Sequence, residues 1–65
     1  MQLDTYRVTP CGTIDVRYIR DDGGHHREVL YPGQDVSDRP QALQDAAAAA
    51  WTDDVIAAYR ALAAT

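Results

Sequence analysis

No phenylalanine and no lysine occur in these 65 residues, and cysteine, methionine and tryptophan appear once each. Each shortage excludes something. With Cys11 as the only cysteine, no disulfide can form within the chain. Zinc sites built on paired cysteines are excluded with it. No run of about 18 apolar residues is present, so no membrane-spanning helix is expected. No leader is expected either, because Asp4 and Arg7 already lie in the first strand-like segment. Basic residues are few: six arginines stand against nine aspartates and one glutamate, for a net charge of −4. That balance argues against a general nucleic-acid binder, which needs a basic surface to displace counterions. It argues equally against attraction to anionic lipid.

A chain of this length is expected to be one domain, residues 1–65. Such a domain buries only about 60% of the surface its unfolded form exposes. Small domains compensate with disulfides, a metal, self-association or very regular packing. The first is excluded by composition, and no ligand cluster for the second is evident. Regular packing and a homo-oligomer are the two routes left.

What is present falls into two textures. Residues 2–31 alternate, with Tyr6 and Val8 on one face of a first segment and Ile14, Val16 and Tyr18 on one face of a second. In the third, Val29 and Tyr31 alternate with Glu28 and Leu30. Period-two alternation in residues of high β propensity predicts half-buried strands over about 3–9, 13–20 and 25–31. Pro10-Cys11-Gly12 and Asp21-Asp22-Gly23-Gly24 between them are hairpin signals, so the strands should pair antiparallel as a meander. Tyr31-Pro32-Gly33 ends the sheet.

Residues 38–64 repeat with a helical period. Asp38 or Ser37 is the expected N-cap, with Gln41 at N3 if Asp38 serves, and Pro40 in the first turn. Leu43, Ala46, Ala47, Ala50 and Trp51 then form an apolar stripe. Thr52 followed by Asp53 and Asp54 predicts a second N-cap, with Trp51 and Ile56 as a hydrophobic staple. Two helices are therefore expected, about 39–51 and 53–64; one uninterrupted helix over 40–63 is the rival. The predicted class is α+β, in order β-β-β-α-α, with the helices on one face of the sheet. The core anchors are Tyr6, Val8, Ile14, Val16, Tyr18, Val29, Leu43, Trp51, Val55, Ile56, Tyr59 and Leu62.

Few residues offer chemistry. His25 and His26 are adjacent on a strand and should point to opposite faces, so they should not converge on one ion. Cys11 sits in a turn and would need a base nearby to act as a nucleophile. Asp21-Asp22-Gly23-Gly24 is too short for a calcium loop, and no helix and lysine follow the glycines as in a phosphate loop. No catalytic residue, cofactor or metal is expected. Arg7, Arg17, Arg20 and Arg27 fall on strands among Asp4, Asp15 and Glu28. Cross-strand ion pairs are their ordinary use. The functional reading is an interaction surface made of Arg7, Arg17, Arg27 and Glu28.

The segment Tyr31-Pro32-Gly33-Gln34-Asp35, then the alanine-rich stretch, then Trp51-Thr52-Asp53-Asp54-Val55-Ile56-Ala57-Ala58-Tyr59 resembles short proteins encoded by tailed bacteriophages and prophages, often near tail genes. Asp53 departs from the proline common at that place, though an acidic residue also suits the first helical turn. The family has no assigned activity, so no functional residue carries over. The resemblance implies phage or prophage origin and a structural or tail-assembly role, in the cytoplasm of a bacterial host or on the virion. The leading expectation is a non-enzymatic protein acting on a protein partner. The alternative is an acidic inhibitor of host proteins that occupies a basic site. A small enzyme using His25 or His26 is the third reading.

Overall fold

Alternation is carried furthest by the second strand, and the rest of the fold is arranged around it. In the computed structural model, which describes residues 1–64, the chain forms β1 (Gln2–Val8), β2 (Ile14–Ile19), β3 (His25–Leu30), α1 (Gln41–Ala50) and α2 (Asp53–Ala63). Thr65, the last residue of the expected domain, lies outside the described residues. The strands form one antiparallel sheet in the order β1-β2-β3, followed by two helices, so the α+β meander is as expected. No helix among the described residues is long and apolar enough to cross a membrane.

On β2, Ile14, Val16 and Tyr18 are buried while Asp15, Arg17 and Ile19 are not. Residues directly opposite in an antiparallel pair share a face. Tyr6 and Val8 on β1, and Leu30, Glu28 and His26 on β3, therefore lie on the buried side of β2. α1 covers that side with Leu43 and Ala47, joined by the half-buried Leu3, Val36, Ala46 and Trp51. Ile14, Leu30 and Leu43 have no exposed surface, and burying each such side chain is worth about 1.5–3 kcal/mol.

Three turns hold the elements together. Gly12 (φ 97°), Gly23 (φ 85°) and Gly33 (φ 88°) take left-handed conformations that glycine adopts without strain. Gly12 does more, because it is buried beneath the helices. Its carbonyl accepts the Trp51 indole N–H at 2.6 Å, and a methyl group added there would lie 2.6 Å from Val55 Cγ1. Ile56 packs beside Gly33 in the same manner. α2 is thus seated on the turns at one end of the sheet.

The helices break where the sequence breaks them. Thr52 caps α2, its hydroxyl accepting from the Val55 N–H at 3.3 Å, with Asp53 and Asp54 in the first turn. The cap of α1 differs from expectation. Pro40, and not Asp38 or Ser37, occupies the N-cap, with no side-chain cap. Asp38 is taken by the Arg39 guanidinium at 2.5 Å, and a turn closed by Arg39 N–H on the Val36 carbonyl delays the helix.

Several expected core anchors are corrected. Val29 is exposed and its neighbour Leu30 is buried, because β3 presents Leu30 to Ile14 across the ladder. Tyr6 and Val8 face the helix side but lie on an edge strand, where only Leu3 packs on the core, and both are exposed. Leu62 is 72% exposed, and α2 buries no residue fully; Val55, Ile56 and Tyr59 are half-buried. Trp51 is likewise half-buried and acts as a strut to Gly12 instead of filling the centre.

Candidate interaction surface

The sheet has two faces and one cover, so its second face is open. The register puts three rows on that face: Gln2, Ile19 and His25; Thr5, Arg17 and Arg27; Arg7, Asp15 and Val29. A shallow groove runs among Thr5, Arg7, Asp15, Arg17 and Arg27. Arg7, Arg17 and Arg27 of the expected surface are therefore brought together.

Their charges are unequally matched. A β-bulge between Leu3 and Thr5 leaves Asp4 without a partner in the ladder. Its carboxylate turns to accept the Arg17 Nε–H at 2.8 Å, and Arg7 reaches Asp15 at 3.5 Å. Arg27 stands opposite Arg17 and has no carboxylate within ion-pair distance among the described residues. Like charges directly opposite on a sheet are destabilising. Val29 and Ile19 flank this pair, 42% and 37% exposed.

Glu28, the fourth residue expected on this surface, is a correction. It lies opposite Val16 on the covered side, where Arg39 clamps it through Nε at 3.1 Å and through Nη2, while the Tyr18 hydroxyl donates to it at 2.8 Å. The Arg39 hydrogen bonds hold the Glu28 carboxyl below its ordinary range, and Glu28 in turn raises Arg39. Burial, and then the bond to Glu28, push the Tyr18 phenol up to about 12. This cluster closes the side of the core. Arg39 is not among the candidate residues that the sequence singles out. Its signal is the register itself: placing Leu30 inside places Glu28 inside, and a half-buried carboxylate requires a cation.

The remaining candidates are dispersed. His25 and His26 point to opposite faces as expected, opposite Ile19 and Tyr18 respectively, and His26 stacks on Tyr18 at 6.0 Å. No group of three His, Cys, Asp or Glu is placed to hold a metal ion among the described residues. Cys11 is exposed, and hydrogen bonds from Thr9 first and Thr13 next lower its thiol to about 7. It borders an apolar groove formed with Pro10, Val55, Ala58, Tyr59 and Leu62. Comparison with protein-family models, curated proteins and solved structures found no match.

Proposed function

We infer that this chain is a non-enzymatic interaction protein, a phage- or prophage-type structural or tail-assembly accessory that acts by contact with a protein partner. The carrying observation is the amount of association-ready surface on so small a fold. Among the described residues, one whole sheet face is uncovered, both outer strands pair on one side only, and Tyr6, Val8, Ile19, Val29, Tyr31 and Leu62 are exposed. Exposed edges and apolar patches are the surfaces through which small domains add to a partner. The phage assignment rests on the resemblance of residues 31–60 and places the protein in a bacterial cytoplasm or on a virion.

The acidic-inhibitor reading finds less support. Five of the ten acidic side chains (Asp4, Asp15, Asp22, Glu28 and Asp38) are engaged by the chain's own arginines. The others are spread over a turn, a loop and both helices instead of being arrayed along one element.

Sedimentation of the purified protein at high concentration, with co-purification from the cell that makes it, tests the reading. Self-association or stoichiometric recovery of one protein is expected. A strict monomer that recovers nothing ends it.

A further inference from the structure

We propose that the open sheet face is a docking surface for an acidic, partly apolar segment of a partner protein, centred on Arg17 and Arg27. The proposal rests on the reading of this chain as an interaction protein and specifies where and what it binds.

Arg17 and Arg27 occupy directly opposed positions on neighbouring strands, with one carboxylate, Asp4, serving Arg17 alone. For stability this is a poor choice, since an acidic residue at position 27 would form a cross-strand ion pair. The arrangement becomes favourable once a carboxylate from outside spans the two guanidiniums. Arginine presents a planar fork of donors suited to such bidentate capture. The face already pairs arginine with carboxylate twice, through single contacts, at Arg17–Asp4 and Arg7–Asp15.

Its surroundings select the class of partner. Val29 and Ile19 border the arginines and remain exposed, so a segment that alternates acidic with aliphatic residues meets both. A nucleic-acid backbone is disfavoured. Its phosphates would run past Asp4 and Asp15 on a chain of net charge −4. A second copy would have to present Asp21 or Asp35 from a turn or loop, or Asp45, Asp53 or Asp54 from its helices, and none of these alternates with exposed aliphatics on a strand.

The test uses the isotope-labelled full chain titrated with a blocked hexapeptide of alternating glutamate and valine, followed by amide chemical shifts. Saturable shifts at Thr5, Arg17, Arg27 and Val29 that weaken with added salt are expected. Arg27→Glu should bind about tenfold or more weakly, the scale of one lost charge-assisted contact. Its melting temperature should equal or exceed the parent's, because it gains a pair with Arg17. That combination separates lost binding from lost folding. Arg60→Gln, on α2, should bind as the parent does. Equal binding of the glutamine-for-glutamate peptide overturns the proposal, as does equal competition by oligothymidylate or shifts confined to α2. If Arg27→Glu binds undiminished, the face is not the site. A partner or self-association mapped elsewhere removes this proposal and leaves the interaction function standing.

Discussion

The two faces of one strand, β2, have opposite fates. Ile14, Val16 and Tyr18 are at most 7% exposed beneath α1, while Asp15, Arg17 and Ile19 alternate with them and meet solvent. The backbone is the same, and hydrogen bonds to both neighbours are the same in kind. What differs is the cover. A domain of this size affords one core layer, so one sheet face carries the stability and the other is released from it. The polar residues obey the division. On the covered side Glu28 is clamped by Arg39 and Tyr18, whereas on the open side Arg27 is left opposite Arg17 with no carboxylate.

The largest difference between the two faces is expected at neighbouring residues. Leu30 is fully buried and Val29 is 42% exposed, one residue apart on β3. Leu30→Ala should cost about 2–5 kcal/mol, enough to unfold much of a marginal domain at ambient temperature. Val29→Ala should cost about 0.5 kcal/mol or less, the usual size of surface substitutions. Urea denaturation followed by circular dichroism reads both. Similar losses at the two positions would mean that the open face is covered in solution.

That same pair marks what could be read in the sequence. β2 was legible because its polar and apolar residues alternate without exception from Ile14 to Tyr18. β3 was legible as a strand but its buried face was not, because it ends Val29-Leu30 with an apolar residue on each parity. β-branching favoured Val29, and the deciding partner, Arg39, sits beyond a turn in another segment. The helix break at Thr52 was legible from its cap, whereas at the start of α1 the expected cap Asp38 is taken by its sequence neighbour Arg39, a competitor that the capping pattern does not register. Of the candidate surface, Arg7, Arg17 and Arg27 followed from parity. Glu28 fell on the wrong face with the same slip that exchanged Leu30 for Val29.

A second comparison sets the turn under the helices against the turn in solvent. Gly12 and Gly23 both have positive φ, but an added methyl meets Val55 at Gly12 and nothing within 4 Å at Gly23. Gly23→Ala should cost about 1 kcal/mol for the backbone alone. Gly12→Ala adds displacement of α2 and strain on the Trp51 bond, for about 2–3 kcal/mol. Thermal melts rank them, and Trp51 fluorescence should change for Gly12→Ala alone.

The covered-side cluster gives stability a pH dependence at both ends. Glu28 is held below its usual range, so its contribution is complete above the unfolded carboxyl value of about 4.3 and is lost as pH falls through its folded value. Tyr18 is raised from 10.0 to about 12, so the fold favours its neutral phenol; stability falls as pH rises from about 10 toward 12 and then levels. Glu28→Gln should remove the acid arm at a cost of about 1–2 kcal/mol near neutrality. Tyr18→Phe should flatten the alkaline arm. Urea midpoints measured across pH test each variant against its own arm.

On the open face the corresponding experiment should do almost nothing. Arg7 and Asp15 sit 3.5 Å apart with side chains 79% and 46% exposed, so water screens the pair and two flexible side chains must be ordered to make it. Asp15→Asn should therefore change stability by about 0.5 kcal/mol or less, read from urea midpoints near neutrality. The contrast with Glu28→Gln is the informative quantity, since both variants remove a carboxylate paired with an arginine, one covered and held by Arg39 and Tyr18, the other open and held by a single contact. If Asp15→Asn costs as much as Glu28→Gln, the open face contributes to folding as a structured surface, and its arginines are held in place for the core's sake and not for a partner's.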